Sequence, residues 1–262
     1  MSKTLQPSVA GLFYPAEAEV LREDVRGFLA RPGSGDDHPK AIVAPHAGYL
    51  YSGAVAGSAY ARVAPIADRI RRVVLLGPAH RHYIQGLAFS AADYLNTPLG
   101  PVAVDRDAWQ AVQDLPQVSE SDQPFLGEHC LEVQLPFLQS LLDDFRVAPM
   151  VVGDATPVQV AEVLERLWGD ESTLIVISSD LSHFHDYETA RDLDSATSRA
   201  IETLAPEAIG HDQACGSTPL NGLLLEARKH GLNAVTVDLR NSGDAEIGSK
   251  YRVVGYGAYV FQ

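Results

Sequence analysis

Three apolar runs in this chain end alike, and no other feature narrows the possible folds as far. Ala41 to Pro45 leads directly into His46. Arg72 to Leu76 leads through Gly77-Pro78-Ala79 into His80. Thr173 to Ser178 leads through Ser179-Asp180-Leu181-Ser182 into His183. Short continuous apolar runs closed by Gly, Pro or Ser have the composition of strands buried on both faces. Open α/β sheets hold their ligands just beyond the carboxyl ends of such strands. A histidine at each of three exits therefore predicts a sheet that brings imidazoles together over one edge.

The remaining segments supply helices and edge strands. Residues 1–15 read as an extended arm with apolar anchors at Val9, Leu12 and Phe13. Residues 16–30 read as an amphipathic helix through Val20, Leu21, Val25, Phe28 and Leu29. Arg31 to Pro39 is a loop by composition, with His38 solvated in it. Ser52 is placed to cap a small-residue helix from Gly53 to Ala61, and Asp105 to cap one running to Leu115. Residues 87–105 suggest a hairpin, and residues 119–127 a polar loop. Residues 128–142 repeat leucine at helical spacing, with Pro136 predicting a kink or a late start. Strand 146–152, helix 157–168, helix 188–204, a helix opening at Ser217-Thr218-Pro219 and closing at Gly231, and strands 234–239 and 252–261 follow. This alternation predicts an α/β fold over residues 1–262: a single domain, a mixed central sheet and helices on both faces.

Composition excludes more than it assigns. The 34 acidic against 20 basic residues give a net charge of −14, which disfavours nucleic acid and anionic membrane as partners. Two cysteines make no disulfide framework and point to a reducing compartment; without an apolar leader or span, the expectation is a cytoplasmic chain. No phosphate loop or dinucleotide fingerprint is present, since Gly53 to Gly57 lacks the required spacing.

Most lone histidines in soluble chains are structural, but a strand exit changes the balance for His46 and His80. Asp180 and His183 share one loop, where a carboxylate can orient an imidazole for proton transfer; an Asx-turn beside a surface histidine is the bland alternative. His185 carries a weaker signal. His129, beside Glu128 and before Glu132, reads by itself as a solvated helix start. Cys215 precedes a helix whose amides lower a thiol pKa, so it is a candidate thiolate, or else a small buried hydrophobe. Cys130, among leucines, reads as core. Two histidines with one anionic ligand suit a divalent metal with open positions: iron for a carboxylate, and iron, copper or zinc for a thiolate.

The blocks VAPHAGYLYSG, LLGPAHR, EHCLEVQLPFLQ, ISSDLSHFHDY, ACGSTPLNGLLLEA and VVGYGAY, in this order, resemble the Memo family. Its bacterial and archaeal members are called AmmeMemoRadiSam system protein B. The family is similar in fold to the class III extradiol dioxygenases, where two histidines and a glutamate bind iron(II) and a further histidine is acid and base. The resemblance implies His46 and His80 as metal ligands with Cys215 in the third place. It implies His183 in the acid–base role beside Asp180, and gives His129 a place in the site. Iron(II) is the expected metal, with copper or zinc as alternatives. The implied activity is a non-haem iron oxidoreductase on a small substrate. A metal- or partner-binding protein with an enzyme-like pocket is the alternative, and a metal-assisted hydrolase the third. Whether the ligand is a small molecule or a peptide stays open.

Overall fold

The computed structural model describes residues 2–30 and 38–262; most of the loop expected from Arg31 to Pro39 lies outside them. Its elements, in chain order, begin with β1 (Thr4–Leu5), α1 (Ala18–Leu29), β2 (Ala41–Ala44), α2 (Tyr49–Tyr60) and β3 (Arg72–Pro78). Next come β4 (Leu87–Phe89), β5 (Tyr94–Thr97), β6 (Gly100–Val104), α3 (Arg106–Val112), β7 (Val118–Glu120), α4 (Leu135–Leu141) and β8 (Arg146–Val152). The chain closes with α5 (Pro157–Leu167), β9 (Thr173–Ser178), β10 (His183–His185), α6 (Tyr187–Glu202), α7 (Ser217–His230), β11 (Ala234–Asn241) and β12 (Val253–Phe261).

The sheet is mixed. Its centre runs β6-β8-β3-β9-β2, all parallel, and β12 adds antiparallel to β2. β5 and β6 form the expected hairpin, and β4 lies antiparallel to β8. The arm is extended where Thr4–Leu5 pairs with β5. The central strands are buried throughout, as continuous apolar runs require, and one hydrophobic core joins the sheet to its helices. α1, α2 and α4 pack together on one face, while α5 and α7 pack together on the other. Tyr60 of α2 stacks on Phe137 of α4 at 4.9 Å, which ties the first helical layer together.

Several boundaries differ from the sequence expectation for local reasons. α2 begins at Tyr49 with Gly48 as its N-cap; Ser52 does not cap it, because its hydroxyl donates to the Ala47 carbonyl at 2.8 Å. The 128–142 segment starts late. Glu128 to Leu131 is irregular, a 3₁₀ turn covers Glu132–Gln134, and the α-helix opens with Pro136 in its first turn, where a missing N–H costs nothing. The polar stretch 119–127 contains the end of β7 and a 3₁₀ turn at Gln123–Phe125. Asp105 does cap its helix, accepting from the Asp107 and Ala108 amides. His38 is exposed, as expected.

What matters for function is the order β3-β9-β2. Three adjacent parallel strands end at one edge, and they are the three that exit through His80, His183 and His46.

Candidate metal centre

The imidazole nitrogens of His46 and His80 and the sulfur of Cys215 lie within 4.8 Å of one another. The structure brings these three side chains together. Each reaches the site by a different route. His46 follows β2 and is 1% exposed. His80 follows β3, whose last turn packs tightly: a Cβ on Gly77 would stand 2.7 Å from the Cys130 sulfur. Cys215 stands just before α7, its amide donating to the Asp180 carbonyl at 3.3 Å.

The state of His46 follows from counting protons. Ser178 has one hydroxyl proton and gives it to the Cys130 carbonyl at 2.6 Å. Its lone pairs must then accept, from His46 Nδ1 at 2.9 Å and from Gln134 Nε2 at 2.9 Å. Gln134 is itself held, donating to the Pro45 carbonyl at 3.0 Å and accepting from the Tyr60 hydroxyl at 2.9 Å. His46 therefore carries its proton on Nδ1 and presents a bare Nε2, 3.3 Å from Cys215 Sγ. On His80, Glu128 takes the Nδ1 side: its Oε1 accepts from His80 Nδ1 at 2.9 Å and its Oε2 accepts the His80 amide at 2.7 Å, which leaves Nε2 as the ring nitrogen Glu128 does not engage. Oriented Nε2 donors with buried partners behind them are the usual support of metal-ligating histidines.

The donor set fits a soft or borderline divalent ion: two imidazole nitrogens and one part-buried sulfur. Its electrostatics also favour a cation. Burial, and then the neighbouring His80, pushes His46 down to about 3, so it stays neutral. The Cys215 thiol, expected to be acidified by helix amides, is instead pushed up to about 12. Burial is the first cause and the Asp180 carboxylate the second, and together they outweigh the α7 amides. A buried sulfur of this kind becomes a thiolate when a cation takes the place of its proton.

The other expected residues are also brought here. His129 is half-buried; its ring lies 4.9 Å from His80, 5.4 Å from His46 and 4.7 Å from Phe13 of the N-terminal arm. Burial and then His46 push it down to about 4. Asp180 is buried, but its Oδ1 accepts the His46 amide at 2.7 Å, and it does not hold the His183 ring. That ring is held by the Leu181 carbonyl, 2.8 Å from Nδ1, because the turn folds back before β10. Phe184 adopts φ 66°, a left-handed conformation costly for a bulky residue, at a register shift between β10 and β12. Both His183 and His185 then line the cleft above the centre, with His80, Cys215, His82 and His211. The cleft holds about 710 Å³, within the range of small-molecule sites.

Glu128, Ser178, Gln134 and Phe13 belong to the site although the sequence reading assigned them no role there. A polar residue isolated in an apolar run was the available signal for Gln134, and a hydroxyl closing a buried strand the one for Ser178. Glu128 is 5% exposed, not a solvated helix start, and its Oε1 also accepts the His129 and Cys130 amides at 2.8 and 3.1 Å. Burial raises the Glu128 carboxyl, but the bond from His80 and the charge and amides around it prevail and hold it at about 2.

The sequence model of a family described as Memo-like protein matches residues 6–260. The chain belongs to the Memo family. A MEMO1 family protein of Aeropyrum pernix is 36% identical over 281 residues, covering 98% of this chain and 99% of its own. One from Aquifex aeolicus is 34% identical, covering 98% of both. In structure, this Memo chain is similar to an uncharacterized protein of Escherichia coli K12, with a TM-score of 0.55 at 13% identity, over 84% of this chain and 98% of that one. That likeness is one of fold. Among the described residues of the Memo chain, no helix is long and apolar enough to cross a membrane.

The depressed imidazoles give a pH prediction for the metal-free protein. His46 and His129 bind fewer protons folded than unfolded, so their contribution is complete above the ordinary imidazole value near 6.5 and drains as pH falls toward 4 and 3. Glu128 acts in the same direction between 4.5 and 2. Thermal melts of chelated protein should lose on the order of 2–4 kcal/mol between pH 7 and pH 5, before ordinary carboxylates titrate. A flat melting temperature over that interval would show that these imidazoles titrate normally.

Proposed function

We propose that the protein binds a divalent metal, iron(II) first, through His46, His80 and Cys215, and that it is an oxidoreductase of the extradiol-dioxygenase type on a small substrate. The observation that carries this reading is the close approach of two imidazole nitrogens and one sulfur beneath an open cleft. Iron(II) held there would supply positions at which an electron-rich substrate and dioxygen meet. The protein's own groups do the rest. His46 and His80 are fixed by Ser178 and Glu128, so no reorientation precedes binding. His183, with Nδ1 committed to the Leu181 carbonyl, turns Nε2 outward as the group that accepts a substrate hydroxyl proton and returns it later. Phe13 packs against the His129 ring on the arm side.

A second reading, a metal- or partner-binding protein without turnover, is favoured by the sulfur of Cys215 where the dioxygenase pattern has a carboxylate. Oxygen uptake separates the two. Iron-loaded protein given catechol, protocatechuate or homoprotocatechuate in air should consume dioxygen with ring opening, visible as a yellow product. No uptake across such a panel by fully loaded protein would sink the enzymatic reading and leave the binding one.

A further inference from the structure

The turn between β9 and β10 carries both Asp180 and His183, and a carboxyl outside the metal centre anchors it. Asp194, on α6, is 2% exposed. Its Oδ1 accepts the Ser182 backbone N–H at 3.0 Å. That N–H and the Leu181 carbonyl are the two ends of one peptide group, which is planar and rigid. The carbonyl end accepts from His183 Nδ1 at 2.8 Å. A single amide thus stands between a buried carboxyl and the imidazole.

We propose that Asp194 is a positioning residue for His183, acting through the Leu181–Ser182 peptide, and that Gly255 is kept free of a side chain to admit it. The inference rests on His183 being the proton-transfer group. Holding the N–H end orients the amide plane and polarises its carbonyl, which strengthens the bond to Nδ1–H and keeps Nε2 bare toward the cleft.

β12 completes the clamp. Leu181 N–H donates to the Gly255 carbonyl, and Gly255 N–H to the Ser182 carbonyl, each at 2.8 Å. A Cβ on Gly255 would fall 2.0 Å from Asp194 Oδ2 and 2.6 Å from Oδ1. The carboxyl therefore lies flat on the glycine Cα, and even alanine would displace it. This accounts for the first glycine of the VVGYGAY block, which sits in a strand at no unusual φ. Burial raises the Asp194 carboxyl, which agrees with a role as oxygen acceptor that an asparagine side chain can also fill.

The test reads the ring nitrogens directly. Metal-free protein labelled with ¹⁵N-histidine, at a pH where ordinary imidazoles are neutral, is examined by long-range ¹H–¹⁵N correlation. Wild-type His183 is expected in a single form protonated on Nδ1, and Asp194→Asn is expected to keep that signal. Asp194→Ala and Gly255→Ala are expected to lose it to a mixture of tautomers. A wild-type His183 protonated on Nε2 would overturn the proposal without any variant. So would loss of the signal in folded Asp194→Asn, or an Asp194→Ala protein that melts with wild type and keeps it. If Asp194→Ala does not fold, the wild-type and Asn spectra still decide. Turnover is measured separately. An intact relay in iron-loaded protein that takes up no oxygen removes the dioxygenase reading alone, and turnover without the relay removes this one alone.

Discussion

Alanine in place of His46 or of His80 is expected to abolish metal retention without unfolding the chain. Protein purified without oxygen should carry about one ion per chain, since the donor set offers one site of ordinary size. Each variant leaves one imidazole and one sulfur, and the sulfur of Cys215 is too costly to ionise in a buried place without a full cation site around the ion. Elemental analysis should then fall to background. The cost to the metal-free fold is smaller. His46→Ala removes a buried bond to Ser178 and leaves a void, about 1–3 kcal/mol. The His80 side chain is 28% exposed, and its loss takes one bond from the Glu128 carboxylate, which keeps the amides of residues 80, 129 and 130. Full metal content in both variants would mean that the ion, if any, lies elsewhere.

Ser178→Val is expected to cost nearly as much as loss of a proposed ligand, although Ser178 is not one of the three. Valine is larger than serine by one carbon and carries methyl groups that neither donate nor accept. Three buried groups then lose a partner at once: His46 Nδ1–H, Gln134 Nε2–H and the Cys130 carbonyl. An orphaned buried polar group costs about 1–3 kcal/mol, so the variant should lose several kcal/mol on denaturant melts. Metal affinity should fall by roughly 10–100-fold, the usual toll for removing the group that orients a ligating histidine. Ser178→Thr, which keeps the hydroxyl, separates the hydrogen-bond effect from the volume effect. Unchanged affinity in Ser178→Val would show that His46 is oriented by packing alone.

The structure also shows where sequence reading runs out, and the reasons are physical. The strands were legible because a buried parallel strand is a continuous apolar run, and that pattern is local. The late start of α4 was legible from Pro136 for the same reason. The partners of the ring nitrogens were not legible. His46 takes its partner 132 residues away and His80 takes its own 48 residues away, and no local pattern encodes either. Asp180 and His183 invited pairing because they are close in sequence. The turn sends the carboxylate to the His46 amide and leaves the imidazole to the Leu181 carbonyl. The acidity expected of Cys215 failed likewise. Helix amides are a local feature, whereas burial, which raises the thiol, depends on everything packed around it.

What the sequence determined by itself was the family, the α/β class and the delivery of His46, His80 and His183 at the ends of buried strands. These follow from motif order and from runs of apolar residues closed by Gly, Pro or Ser. Only the tertiary structure decided that β3, β9 and β2 lie side by side, that Cys215 meets His46 across 169 residues, and that Ser178 and Glu128 take the Nδ1 side of His46 and His80. Strand order and hydrogen-bond partners are set by which buried surfaces and polar groups can all be satisfied together, a condition on the whole chain and not on any segment of it.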